Sequence, residues 1–495
     1  MRLATRGVLI LFTEFFRVTT TLITGMVLSR LLSETDYGTF GQAVMIYTLF
    51  STVLCLSLPQ SVYYFIPRAK EDERPHVMSQ TMILMIALAV ITSALMYAST
   101  PFLTNKMNNP GLSALMKIMS LYPLADMISQ IVVPALVSID RANISAVFGV
   151  IFSLARITGV VAPLLVGYSL VTSVKIMVLS VFGTTVLGLI LLAVFLKVRT
   201  FWFSGKFLRE QLDYAIPMAG ALAVGLIGRQ LDKWIISLFF GPEQYAVFSN
   251  GAQELPLVGI LTAGMASAIL PEMVKYAGEG KLPEAIHLWK RSSRVCALVM
   301  FPTFILSLFL APELMILLFS RKYIDSTYPF VVYLFVLPMR VVIFSAVLRA
   351  MSRTKPIMVG AVLSLAANAI LGIGLLKWFG TGRWGLLIPA GASVISHYLA
   401  AWYLLGMIRK ASGIPIRQLL PWGPLAKLLG LAIVAGVALV PLWWMKLSPV
   451  PKLLAATGIY AIAYGAVVLG TGWLAPDERN LLARVFRLRQ SEQHV

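Results

Sequence analysis

Leu31-Leu32-Ser33-Glu34-Thr35-Asp36-Tyr37-Gly38-Thr39-Phe40 follows the first long apolar run of the chain. A second stretch, Phe240-Gly241-Pro242-Glu243-Gln244-Tyr245-Ala246-Val247-Phe248, follows a later one, and its Tyr and Phe keep their spacing at an offset of 208. Two further echoes run in the same order. Gly149 is followed by Ser153-Leu154-Ala155, and Gly360 by Ser364-Leu365-Ala366, at an offset of 211. Pro123 and Pro338 lie 215 apart. Apolar helices share residues by chance, so each match alone is weak. Several in one order at nearly one offset predict an internal duplication.

What is duplicated follows from composition. Of the 495 residues, 58% are hydrophobic and 13% charged, and mean hydropathy is +0.84. A soluble chain is about a quarter charged and about 45–50% apolar. This excess cannot fit inside a water-soluble core, which excludes a soluble multidomain enzyme and predicts a polytopic, all-α membrane protein. With about 20 apolar residues needed per crossing, about fourteen spans are expected. They fall near 7–32, 38–66, 77–101, 115–138, 143–168, 173–196, 213–240, 244–274, 292–320, 325–349, 356–379, 384–408, 423–445 and 453–474. Gly241-Pro242 and Gly380-Thr381-Gly382-Arg383 mark two of the turns.

The net charge of +20 would suggest nucleic acid in a soluble protein. Here the basic residues gather in alternate loops. One set holds Arg68, Lys70 and Arg74; Arg141; Lys197, Arg199, Lys206 and Arg209; Lys275, Lys281, Lys290, Arg291 and Arg294; Arg349, Arg353 and Lys355; and Arg409, Lys410 and Arg417. Arg2 and Arg6 precede them, and Arg479, Arg484, Arg487 and Arg489 follow. About 25 basic residues on one side against about ten on the other is the positive-inside asymmetry. It predicts both termini in the cytoplasm and contact with anionic lipid headgroups, with no nucleic-acid partner. The first run carries Glu14 and Arg17 and lacks a small-residue cleavage site, so it reads as a retained span rather than a signal peptide. Cys55 and Cys296 make no metal or disulfide spacing, and no G-x-x-x-x-G-K-[ST] phosphate loop occurs. No cofactor is expected.

Six spans per repeat is an even number, so both copies enter the membrane from the same side, as a parallel repeat. The expected organisation is a six-helix lobe over 1–200, a second over 201–412, two added spans over 413–476 and a basic cytoplasmic tail over 477–495. Such lobes suit a transporter, with a shared site expected at their interface near the midplane.

Charge inside a membrane is costly and marks function by default. Glu14 and Arg17 are three apart on one face of span one, and Asp126 follows Pro123. Arg156 lies mid-span, and Arg229, Asp232 and Lys233 lie together on span seven. Glu254 lies in Gln253-Glu254-Leu255-Pro256, inside span eight, and Arg340 follows Pro338. The basic members, Arg17, Arg156, Arg229, Lys233 and Arg340, are the candidates for an anionic substrate group such as phosphate, which guanidinium binds bidentately. The acidic members, Glu14, Asp126, Asp232 and Glu254, are candidates for coupling H+ or Na+. The plainer alternatives are internal ion pairs (Glu14 with Arg17, Arg229 with Asp232, Asp126 and Glu254 with the arginines) and, for Lys233, snorkelling toward a helix end. Pro59, Pro134, Pro163, Pro217, Pro256, Pro302 and Pro338 permit bends, and His397 reads as a hydrogen-bonded interior residue.

The opening pattern, Arg17 in a first span and then L-L-x-x-x-x-Y-G-x-F over 31–40, resembles the polysaccharide (O-antigen type) flippases of the multidrug/oligosaccharidyl-lipid/polysaccharide exporter superfamily. Leu58-Pro59-Gln60-Ser61 and Arg229-Gln230-Leu231-Asp232-Lys233 are similar to landmarks of the same family. The resemblance covers nearly the whole chain. It implies a flippase carrying an undecaprenyl-pyrophosphate-linked oligosaccharide from the inner to the outer leaflet of the cytoplasmic membrane, alongside polysaccharide polymerase machinery, with Arg17, Arg229 and Lys233 in the matching motifs. A lipid II flippase would carry more arginines in the first two spans than Arg17 and Arg30. The competing expectation is a cation-coupled drug or small-metabolite antiporter on the same fold. A membrane-embedded enzyme would need a long extracytoplasmic loop, and none occurs.

Overall fold

Ser33 starts a helix where the opening stretch predicts one. Its Oγ accepts the Asp36 amide at 3.1 Å, and Glu34 and Asp36 place negative charge in the first turn. The computed structural model describes residues 3–198, 201–382, 384–445 and 447–471, with the side chains of 3–11, 14 and 256 outside that description. The expected tail over 477–495 and the arginines in it lie outside the described residues.

Among the described residues the secondary structure is helical throughout. The helices are α1 (Leu3–Leu31), α2 (Glu34–Leu54), α3 (Leu58–Phe65), α4 (Arg74–Lys106), α5 (Gly111–Met119), α6 (Tyr122–Ser129), α7 (Val132–Ser138), α8 (Ala142–Leu165), α9 (Leu170–Phe195), α10 (Gly205–Phe239), α11 (Pro242–Gly251) and α12 (Pro256–Gly278). There follow α13 (Leu282–Phe309), α14 (Ala311–Phe319), α15 (Thr327–Leu334), α16 (Leu337–Arg340), α17 (Phe344–Ala350), α18 (Lys355–Phe379), α19 (Leu387–Ser412), α20 (Ile416–Leu419), α21 (Trp422–Gly436), α22 (Pro441–Trp444) and α23 (Pro449–Gly470). By length and apolar composition, eleven spans are found among the described residues, or thirteen if each of two bent pairs is one crossing. The fourteen expected are therefore not all counted; α1, with Arg17 in it, is a long helix outside that set.

Several expected spans are broken rather than straight. The pair α2 and α3 bends by 42° across Cys55–Ser57, where Leu56 and Ser57 take positive φ. The stretch from α5 through α7 bends by 46°. Pro59, Pro123, Pro256 and Pro338 stand in the first turn of the helix that follows a break, where a missing N–H costs nothing. Pro163, Pro217 and Pro302 remain inside continuous helices.

The chain forms two compact units, 1–249 and 250–495. In the first, Leu58, Val62, Met78, Met85, Met127, Ile131, Phe148 and Leu192 belong to one buried core. The two motif stretches meet inside this unit. Thr35 Oγ1 donates to Glu243 Oε1 at 2.7 Å, and Tyr245 OH donates to the Gly41 carbonyl at 3.1 Å. A Cβ on Gly38 would fall 1.9 Å from the Pro242 carbonyl oxygen, so that position admits only glycine. Farther along, α10 joins the same unit through polar contacts. Gln42 Nε2 donates to Ser237 Oγ at 2.8 Å, and Gln211 Nε2 to Ser61 Oγ at 3.0 Å and Thr81 Oγ1 at 2.9 Å. Bonds of this kind hold helices together where lipid removes the hydrophobic drive. The second unit has its own core, including Leu310, Ala435, Leu439 and Tyr460, and a largely buried ion pair between Lys452 of α23 and Glu313 of α14.

Candidate functional site

Asp126 is the hub of the first unit. It sits on α6, one turn beyond the break that Pro123 follows, and is buried. Tyr47 OH, from α2, donates to its Oδ2. Gln130 Nε2 donates to the same oxygen at 2.9 Å, and Tyr122 OH donates to Oδ1 at 3.3 Å. The Tyr47 and Tyr122 rings meet edge to face, with centroids 4.8 Å apart. Arg156 of α8 is half-buried and interacts electrostatically with Tyr122, Asp126 and Tyr47. The carboxylate thus accepts from three side-chain donors, with a guanidinium in electrostatic reach.

The second unit has a counterpart. Arg340 closes the short helix α16, between two breaks, and its Nη2 lies 3.3 Å from Glu254 Oε1. Glu254 is not inside a helix, contrary to its expected place in span eight. The chain leaves α11 at Gly251 and resumes helix at Pro256, and Glu254 lies in the gap. A carboxylate there precedes a helix N-terminus, where negative charge is favoured. His397 of α19 is in electrostatic reach of both Arg340 and Glu254, and its Nδ1 lies 2.7 Å from the Ser393 carbonyl. The freed carbonyls at the breaks find side-chain donors. Tyr398 OH donates to the Phe335 carbonyl at 2.8 Å, and Trp289 Nε1 to the Ile343 carbonyl at 3.1 Å.

These clusters repeat one plan. Tyr47 and Glu254 are 207 apart, and Asp126 and Arg340 are 214 apart. In each unit, a side chain that follows the motif stretch, from α2 in the first and from the break after α11 in the second, reaches a charged residue on the broken fourth span. Thr185 and Tyr398, 213 apart, each donate to a carbonyl of that broken span, Thr185 to Ala125 at 3.0 Å. The sign is reversed between copies: Asp126 in the first, Arg340 in the second.

The other candidates are placed as follows. Arg17 and Arg229 are exposed on their helices. Asp232 is buried, with Oδ1 accepting the Lys233 amide at 2.8 Å, and the half-buried Lys233 interacts electrostatically with it. The Glu14 side chain lies outside the described residues. So the structure brings together Asp126 with Arg156, Glu254 with Arg340, and Asp232 with Lys233. Among the described residues no group of three or more His, Cys, Asp and Glu side chains could hold a metal.

The profile of the family described as polysaccharide biosynthesis protein matches residues 5–277, more than half of the chain. The chain belongs to that family. No curated protein sequence matches it. Solved structures share the fold at low identity. The lipid II flippase MurJ, in an inward closed conformation, matches with a TM-score of 0.70 at 13% identity, covering 94% of this chain and 98% of its own. An inward-facing multidrug resistance MATE transporter matches with a TM-score of 0.62 at 16% identity, covering 80% and 96%. A transporter from Pyrococcus furiosus matches with a TM-score of 0.55 at 16% identity, covering 84% and 96%. All three carry the fold of the multidrug/oligosaccharidyl-lipid/polysaccharide superfamily, and this member of the polysaccharide biosynthesis family has it too.

Sequence reasoning in this family member reached the charges and, as one alternative, the pairing of Asp126 and Glu254 with the arginines, but not the neutral groups around them. Tyr47, Tyr122 and Gln130 carried no signal as apolar-run residues, and His397 was read only as an interior hydrogen-bonding group. The one legible cue was the offset itself: carrying Asp126 forward by the Pro123–Pro338 spacing lands beside Arg340.

Proposed function

We propose that the chain moves a lipid-linked oligosaccharide bearing a pyrophosphate from the inner to the outer leaflet of the cytoplasmic membrane by alternating access, with both termini cytoplasmic. The observation that carries this reading is the family match over residues 5–277, on a chain whose helices cross a membrane many times. A member of the polysaccharide biosynthesis family whose described residues are mostly membrane-crossing helices is suited to translocating the glycan.

In this reading Arg17, Arg156, Arg229, Lys233 and Arg340 receive the phosphates and sugar, and Glu14, Asp126, Asp232 and Glu254 carry the coupling H+ or Na+. The domain division at 200, 412 and 476 belongs to the same proposal, as does work beside a polysaccharide polymerase. The pair at 3.3 Å gives the reading a mechanism. A phosphate that displaces Glu254 from Arg340 gains a planar fork of donors. The released carboxylate, in electrostatic reach of His397, is then open to the coupling ion. Departure of the phosphate restores the pair and expels that ion. Substrate and ion thereby exchange at one arginine.

Deletion of the gene in its source organism tests the reading. Accumulation of the lipid-linked repeat with loss of surface polymer is expected. Unchanged glycans with hypersensitivity to cationic drugs would overturn it in favour of an antiporter.

A further inference from the structure

A cavity of about 210 Å³ lies at the N-terminal ends of α15 and α19, in the second unit. Asp325, Tyr328, Pro329, Trp384, Leu386 and Leu387 line it. Asp325 is the next-to-last residue of the 3-10 turn Arg321–Ser326, Tyr328 and Pro329 lie in the first turn of α15, and Trp384 to Leu387 lead into α19. Gly380, with a φ of +74°, turns the chain out of α18 toward this approach. None of these residues belongs to the charged clusters above.

The chemistry of the lining is specific in kind. Trp384 and Tyr328 are 61% and 54% exposed, so two partly solvent-facing aromatic side chains line the cavity. One carboxylate stands with them, and proline and leucine complete the lining. In the same turn, Ser326 Oγ and Thr327 Oγ1 are buried with no hydrogen-bond partner among the described residues. Exposed tryptophans at helix ends ordinarily belong to the membrane-interface belt, and Trp378, Trp443 and Trp444 are exposed without lining this cavity. Trp384 differs because it walls a concave site that also holds Asp325. Among the described residues no group of three or more His, Cys, Asp and Glu side chains stands there to hold a metal. A drug-sized ligand would need about 300 Å³ or more. A sugar ring fits each element: its C–H face lies on an aromatic face, and its vicinal hydroxyls donate to a carboxylate, which only accepts. The volume equals about seven waters, the size of a single pyranose.

We propose that Asp325, Tyr328 and Trp384 form a subsite for one uncharged pyranose unit of the glycan. The loop charges put these turns on the extracytoplasmic side, so the subsite engages sugar on the face where the glycan emerges. This rests on the flippase reading for its purpose but not for its test. The full-length protein in lipid nanodiscs is titrated with free glucose, galactose, mannose and N-acetylglucosamine, read by saturation-transfer NMR. At least one sugar binds. Trp384→Ala raises its Kd by about tenfold or more and Trp384→Phe by less than about threefold. Asp325→Asn weakens it too, and Trp443→Ala leaves it unchanged. Absence of transfer from all four sugars, or a Kd unmoved by Trp384→Ala, overturns the subsite. The deletion strain separates the two ideas: a lost surface polymer with no sugar binding removes only the subsite, whereas unchanged glycans remove the flippase reading.

Discussion

At the scale of single residues, the account turns on charges that are paired but replaceable. Arg340 and Glu254 are both partly exposed, so their attraction is screened and contributes little to stability. Their value lies in exchange. Arg340→Ala is expected to lower transport by about tenfold or more, with normal membrane levels, and Arg340→Lys to recover only part, because an ammonium lacks the planar fork. Complementation of the deletion strain by quantified surface polymer measures both, and full polymer from Arg340→Ala would remove the exchange mechanism. Asp126 is different, being buried and closely bonded. Tyr47→Phe strips one donor from it and is expected to cost about 1–3 kcal/mol, read as a lower thermal midpoint in detergent. No change in midpoint would mean that the hub is not held by Tyr47. The charged residues themselves were legible, since ionisable groups stand out in apolar runs. Pairing of Asp126 and Glu254 with the arginines was legible only as one alternative, with no indication of which arginine each meets. Glu254 reaches Arg340 only because two separate helices break at the right places, and periodicity within one helix carries no information about that.

At the scale of helices, the motif stretches explain their own residues. Gly38 is glycine because α2 and α11 start within backbone contact of one another. Gly38→Ala is expected to destabilise by about 1–3 kcal/mol through overpacking, whereas Gly264→Ala, whose Cβ would meet nothing within 4 Å, is expected to be neutral. Thermal unfolding of the two variants side by side checks this, and equal midpoints would contradict the packing argument. Helix existence was legible over nearly all the described chain, because long apolar runs permit little else in a membrane. The breaks were legible only in part. Proline marked Pro59, Pro256 and Pro338, but Pro163, Pro217 and Pro302 are the same residue inside unbroken helices. The difference lies in neighbours such as Tyr398 and Trp289, which supply donors to freed carbonyls from distant sequence.

At the scale of the molecule, orientation follows from loop charge and is directly testable. In a protein with Cys55 and Cys296 replaced by Ala, Asn108→Cys is expected to react with a membrane-impermeant maleimide from outside whole cells. Ser352→Cys should react only after the inner face is opened; the opposite pattern would invert the topology. The expected duplication rests on three short sequence matches, and polar contacts 207 and 214 residues apart are consistent with it. The residue on the broken span differs in sign between the halves, Asp126 in one and Arg340 in the other, and each lies with a residue of opposite charge, Arg156 and Glu254. The central claim is movement of the lipid-linked glycan itself. The most direct measurement reconstitutes the purified protein in liposomes with a fluorescent polyprenyl-pyrophosphate oligosaccharide and follows its loss from the leaflet accessible to a quencher. The account predicts protein-dependent translocation that Arg340→Ala abolishes. Equal rates in liposomes with and without the protein, under both an imposed proton gradient and an imposed sodium gradient, would contradict it.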